Sequence, residues 1–363
     1  MVRGVSEGAD PFGTARLRRG VLDAWVASPA RFREDANAEE DLVLGGYRDR
    51  LIVELAQNAA DAAARAGVPG RLRLALHPAE GDDPAVLAAA NTGVPLDAAG
   101  VESLSTLRAS AKRDEESPAG AASDHPASDR PASDHPAPAS SGLNSSGLDS
   151  GGMVGRFGVG FSAVLAVSDE PAVVSRTGGL RWSLSEAREL TRQAAAGTPG
   201  LADELRRRDG HVPLLRLPLP AEGTAPVGYD TAVVLPLRDG AAEDLVTRLL
   251  AGIDDALLLT LPGLTEVVID TPEGVRTLTR RQDGPYVLIE QRAGDTSGTS
   301  GAAGAAGEAD APSGAAPAQV TRWRVSRAGG RIDATLRVGR AVEERLRPIW
   351  SVTWAVPVAA DGA

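Results

Sequence analysis

Leu51, Ile52, Leu55, Ala59 and Ala62 recur at three- and four-residue intervals, which predicts an amphipathic helix ended by Gly67-Val68-Pro69-Gly70. A second helix is expected from about Thr14 to Ser28. Phe161 to Val167 also reads as helical. Ala241 to Leu261 predicts one long helix, with Leu245, Leu249, Leu250, Ile253, Leu257 and Leu258 along one side. Strand patterns fall at Arg71 to Leu76, Val86 to Ala90, Ala172 to Ser175, Leu180 to Leu184, Leu214 to Leu217 and Thr231 to Leu237. More follow at Glu266 to Asp270, Val275 to Thr279, Tyr286 to Gln291, Thr321 to Ser326, Ile332 to Val338 and Trp350 to Val356. The alternation implies an α/β (α+β) fold with helices on one face of a mixed sheet, then a second, smaller α/β segment. Its Trp323, Trp350 and Trp354 are expected as core or interface aromatics.

Two low-complexity stretches interrupt this pattern. The first, about 114–152, repeats Ser-Asp-His-Pro-Ala and Ser-Asp-Arg-Pro-Ala from Ser123 to Ala137, a composition that buries no core and is expected to be disordered. The second, about 294–319, is rich in Gly, Ala and Ser and reads as a flexible loop. They suit a division into 1–240, with the first stretch as an insertion, and 241–363, with the second as a loop. A length of 363 residues accommodates two domains.

Composition narrows the function. The chain contains no cysteine, which excludes a disulfide framework, a thiol nucleophile and a cysteine metal site. No apolar run approaches the roughly 18 residues a membrane span needs. The first residues lack the apolar core of a signal peptide, so a cytoplasmic location is expected and no membrane partner. A formal net charge of −11 argues against sequence-independent nucleic-acid binding.

Two short stretches carry the candidate chemistry. Glu54, Asn58 and Asp61 stand four and three residues apart, so an acid, an amide and an acid line one strip of the first-described helix. An amide oxygen beside phosphate oxygens makes a reasonable Mg²⁺ shell, and a carboxylate one turn away is placed to orient water for in-line attack. An ordinary solvated helix face has the same composition. The second stretch, Gly155-Arg156-Phe157-Gly158-Val159-Gly160-Phe161, follows a polar tract rather than a strand, unlike a dinucleotide fingerprint. Its glycines let backbone approach an anion closely at the start of a new helix. A tight turn between two elements is the plainer reading. No G-x-x-x-x-G-K-[ST] phosphate loop is present.

Together, Glu-x-x-x-Asn-Ala-x-Asp-Ala and Gly-x-Phe-Gly-Val-Gly-Phe resemble the ATP site of the GHKL (histidine kinase-like) superfamily of gyrase, heat-shock chaperone, histidine kinase and MutL. Within it the ninety-kilodalton heat-shock chaperone ATPases are similar. The second motif, continued by Ser168-Asp169-Glu170-Pro171 and Val173-Val174-Ser175, looks closer to sacsin. The likeness covers roughly residues 20 to 270. It implies a Bergerat-type two-layer sandwich and an ATP-binding, slowly ATP-hydrolysing, chaperone-like module acting on a client or partner protein, with ATP and Mg²⁺ as cofactors. By the same resemblance Glu54 positions water, Asn58 holds Mg²⁺ and Asp61 supports the nucleotide pocket. Gly155, Phe157, Gly158, Val159, Gly160 and Phe161 form the phosphate-wrapping loop. Thr231 joins the hydrogen bonds around adenine, and Lys112, the chain's one lysine, lies in the helix leading to the ATP lid.

One departure bears on the base. Where the family has D-x-G-x-G, this chain has Asn91-Thr92-Gly93-Val94-Pro95. Asn91 stands for the adenine-reading aspartate, with the acceptor but not the charge; Gly93 is retained, and Pro95 stiffens the turn. The alternative is a non-hydrolysing, nucleotide-gated protein-binding module. Arg276, Arg280, Arg281 and Arg292 are available to assist hydrolysis, with no motif to select one.

Overall fold

A computed structural model describes residues 3–4, 10–44, 47–105, 160–294, 318–338 and 349–359. The expected helices form where their ends are capped. α1 (Thr14–Ala27) begins with the Asp10 carboxylate accepting the amides of Thr14 and Ala15, both at 2.9 Å. α2 spans Pro29–Leu44 and α3 spans Leu51–Ala66. Gly67, at φ 66°, closes α3, and the Val68 amide reaches back to Ala63 O at 3.1 Å. α3 buries Leu51, Ile52, Leu55, Ala56, Ala59, Ala60, Ala62 and Ala63, so the apolar stripe is its core face.

The strands are β1 (Arg3–Gly4), β2 (Gly70–His77), β3 (Val86–Asn91), β4 (Ala172–Ser175), β5 (Gly178–Arg181) and β6 (Leu219–Glu222). They continue with β7 (Thr231–Pro236), β8 (Leu264–Thr271), β9 (Gly274–Asp283), β10 (Tyr286–Gly294), β11 (Gln319–Arg331) and β12 (Ile349–Val358). The remaining described α-helices are α4 (Ala98–Ser105), α5 (Leu184–Ala195), α6 (Pro199–Arg207), α7 (Gly240–Ala251) and α8 (Asp255–Thr260).

One large mixed sheet orders these strands β1-β6-β5-β4-β7-β3-β2-β8-β9-β10-β11-β12. β2 and β8 run parallel; the other described registers are antiparallel. Period-two alternation sends Leu87, Ala89, Val173, Val233 and Leu235 into the main core with residues of all the α-helices. Ala90, Val174 and Ala232 point the other way into a small second cluster. The fold is therefore mixed α/β. Because β8 pairs with β2, residues on both sides of 240 share this sheet.

The described residues fall into two compact units. One holds the described residues within 1–107, 154–328 and 352–363, the other those within 329–351. In the second, Asp333 caps a 3₁₀ turn over Ala334–Arg337 by accepting the Thr335 amide at 2.8 Å, where a strand over Ile332 to Val338 was expected. No helix among the described residues is long and apolar enough to cross a membrane.

Two further local expectations fail for identifiable reasons. Ala241 to Leu261 is two helices, because extended Asp254 starts α8 by accepting the Ala256 amide at 2.9 Å. Leu214–Arg216 is a 3₁₀ turn, not a strand. The buried Glu39 carboxylate accepts the amides of Leu214 at 2.6 Å and Leu215 at 3.0 Å, withdrawing them from any ladder. The helix expected at Phe161 to Val167 forms as a 3₁₀ helix over Gly160–Ala166. Burial pushes the Glu39 carboxyl up to about 7, against the two amides and the Arg216 guanidinium, which favour its charged form.

Candidate functional site

α3 is the spine of the site. Glu54, Asn58, Asp61 and Ala62 follow one another along it, and eight residues from Glu54 to Ala62 span about 12 Å. Something packs closely against each end of that span.

At the first end stands Gly160. A Cβ on Gly160 would lie 2.1 Å from Glu54 Oε2 and 3.0 Å from its Cδ, so only a glycine leaves the carboxylate where it is. The same carboxylate meets Arg50 through Oε1, 3.7 Å from Nε. What holds Gly160 there is the core. Phe161, 2% exposed, packs against Trp182 with ring centroids 5.4 Å apart, and Trp182 donates to Leu215 O at 3.1 Å. Arg238, just past β7, donates to Leu165 O at 2.9 Å and to Asp169 Oδ1 at 2.8 Å, tying down the end of the 3₁₀ segment.

At the other end the turn after β3 presses on the helix backbone. Gly93 has φ +133°, and a Cβ there would fall 2.3 Å from the Ala62 carbonyl carbon and 2.5 Å from Ala63 N. The turn is pinned by Val94 N donating to Ala62 O at 3.0 Å and by Gly93 N donating to Asp230 Oδ2 at 2.7 Å. Asp230 is itself ion-paired with Arg176. Thr92 Oγ1 accepts the Arg71 amide at 3.0 Å and donates to Pro69 O at 3.1 Å, stitching the turn to the start of β2.

This turn, α3 and β7 bound a small open cleft, lined by Ala62, Arg65, Asn91, Val94, Leu96, Asp97 and Thr231 among others. Asn91 and Thr231 face each other in the register of β3 and β7. Asn91 Nδ2 donates to Thr92 O at 3.1 Å. Thr231 is 6% exposed, and its hydroxyl has no hydrogen-bond partner among the described residues. A buried hydroxyl left so costs about 1–3 kcal/mol unless a ligand or water meets it.

Thus the structure packs Gly160 against Glu54 and the Gly93 turn against Ala62 of one helix, α3, which also carries Asn58 and Asp61, and it pairs Asn91 with Thr231 across β3 and β7. Phe161 sits in the core. Lys112, Gly155, Phe157, Gly158 and Val159 lie outside the described residues, as do the stretch 114–152 and most of 294–319. Sequence reasoning passed over Asp230 and Arg65. Asp230 adjoins Thr231 in sequence, but its role depends on a turn 137 residues away. No protein-family model matches the chain, and no curated protein matches it.

Proposed function

We propose that this is an ATP-binding module of the GHKL type, with a Bergerat-like arrangement of α3, β3 and β7, that hydrolyses ATP slowly and couples nucleotide state to a protein partner. One observation carries the reading: Gly160 closes on the Glu54 carboxylate, uniting two motifs that lie far apart in sequence. The cleft at Ala62 lies about 12 Å further along the same helix, a span suited to a nucleotide with its base at one end and its phosphates at the other. The unpartnered Thr231 hydroxyl fits a ligand in that cleft.

Bound ATP would supply the phosphoanhydride, and Mg²⁺ would offset its charge. Asn58 would hold the metal through its amide oxygen, alongside phosphate and water oxygens. Glu54 would hold a water at its carboxylate, and Asp61 would support the pocket. Arg50 favours the second reading, a nucleotide-gated binding module without turnover, because its guanidinium already engages Glu54 Oε1.

The test is Mg²⁺-dependent ATP binding and steady-state phosphate release, on wild type, Glu54→Ala and Asn58→Ala. The ATPase reading requires that Glu54→Ala bind without turnover and that Asn58→Ala lose metal-dependent binding. Binding with background phosphate release in all three leaves the gated module. A wild type that binds no ATP ends both.

A further inference from the structure

Resting on the nucleotide reading of the cleft, we infer that its base subsite accepts purine nucleoside triphosphates with either a 6-amino or a 6-oxo group, inosine and guanosine nucleotides as well as ATP. The inference is carried by the polarity of the two groups that face each other there. Asn91 carries both an acceptor oxygen and two N–H donors. Its one described side-chain bond, Nδ2 to Thr92 O at 3.1 Å, leaves Oδ1 and a second N–H uncommitted. The Thr231 hydroxyl donates or accepts as it rotates, and no described partner fixes it. Ala62, Val94, Pro95 and Leu96 offer apolar wall to a flat ring without choosing among ring edges, and the two charged lining residues have partners of their own: Arg65 Nε donates to Asp61 O at 3.4 Å and Asp97 Oδ1 accepts the Gly100 amide at 2.7 Å.

A 6-aminopurine presents a donor at position 6 and an acceptor at N1; a 6-oxopurine presents the reverse. A carboxylate at position 91 would accept only, and would set two acceptors against each other when a 6-oxo base entered. An amide turns over instead. Turning it breaks the bond to Thr92 O, one neutral hydrogen bond, which corresponds to about a fivefold preference. Position 91 is thus a specificity-determining residue whose neutral form relaxes the choice of base.

The experiment is calorimetric titration of the full chain with Mg²⁺–ATP and Mg²⁺–ITP, which differ only at the 6-position and N1, on wild type, Asn91→Asp and Thr231→Val. Wild type is expected to separate the two by less than about tenfold. Asn91→Asp is expected to widen that ratio at least tenfold in favour of ATP, while Thr231→Val weakens both nucleotides by a similar factor. A wild type preferring ATP by more than about a hundredfold overturns the inference while leaving the nucleotide site standing. So does an Asn91→Asp protein that binds with an unchanged ratio. Should Asn91→Asp not fold, the wild-type ratio and the parallel loss in Thr231→Val decide. If wild type binds neither nucleotide, the nucleotide reading fails and this inference with it.

Discussion

Gly93→Ala tests the contact that shapes the cleft. The new methyl would lie 2.3 Å from the Ala62 carbonyl carbon and 2.5 Å from both Ala62 O and Ala63 N. These are helix backbone atoms, which cannot rotate away as a side chain does. The residue also has φ +133°, a region alanine adopts only under strain of about 1–3 kcal/mol. Relief requires lifting the turn off α3, which breaks Val94 N to Ala62 O and Gly93 N to Asp230 Oδ2. The first is worth about 1 kcal/mol and the second, to a charged acceptor, about 1.5–3 kcal/mol. These losses overlap, so the expected destabilisation is about 3–5 kcal/mol, read by urea denaturation, with a melting temperature lower by about 10 °C. Gly67→Ala is the internal control. Gly67 also has positive φ but nothing within 4 Å of its would-be Cβ, so about 1 kcal/mol is expected. If Gly93→Ala costs less than about 1 kcal/mol, or no more than Gly67→Ala, the close approach of turn and helix is wrong.

Gly160→Ala should displace the Glu54 carboxylate, lowering phosphate release at least tenfold while circular dichroism stays native; unchanged turnover would separate Gly160 from the chemistry. Thr231→Val should raise the stability of the nucleotide-free protein by about 1 kcal/mol, because it removes a buried hydroxyl without a described partner; a loss of stability would mean the hydroxyl is already satisfied. Glu39 sets a pH dependence. Its carboxyl is raised from 4.5 to about 7 on folding, so between these values the folded state binds more protons than the unfolded one, and stability falls as pH rises through that window. About 2.5 pH units at 1.36 kcal/mol each gives about 3 kcal/mol, and Glu39→Gln should flatten the profile between pH 5 and 7 in denaturant titrations. Asp255→Ala should cost about 2–4 kcal/mol by the same method, since the buried carboxylate accepts from Gln291 at 2.7 Å, from Trp323 at 2.8 Å and from Thr321.

The elements most legible in the sequence were those whose pattern is local. α3 announces itself through its apolar stripe and its glycine stop, and strands such as Thr231–Pro236 and Tyr286–Gly294 through β-branched and aromatic residues. α2 was illegible because nearly half of its segment is charged, and its buried positions among those described are Phe32, Ala36 and Glu39. α5 and α6 were also not anticipated. The turn at Leu214–Arg216 looked like a strand because nothing nearby reveals that a carboxylate 175 residues earlier takes its amides. Trp354 was expected in a core or an interface, yet is 69% exposed in the protein as described.

For the site, the sequence by itself determined which chemistry stands on α3, because helical spacing alone sets Glu54, Asn58 and Asp61 on one strip, each about a turn from the next. It also placed an amide at position 91. Only the tertiary structure decided that Gly160 meets Glu54, that Asn91 faces Thr231 and that Asp230 holds the Gly93 turn. These contacts join residues roughly 100 or more positions apart, and they arise from sheet register and from close backbone packing, neither of which leaves a periodic trace in the chain.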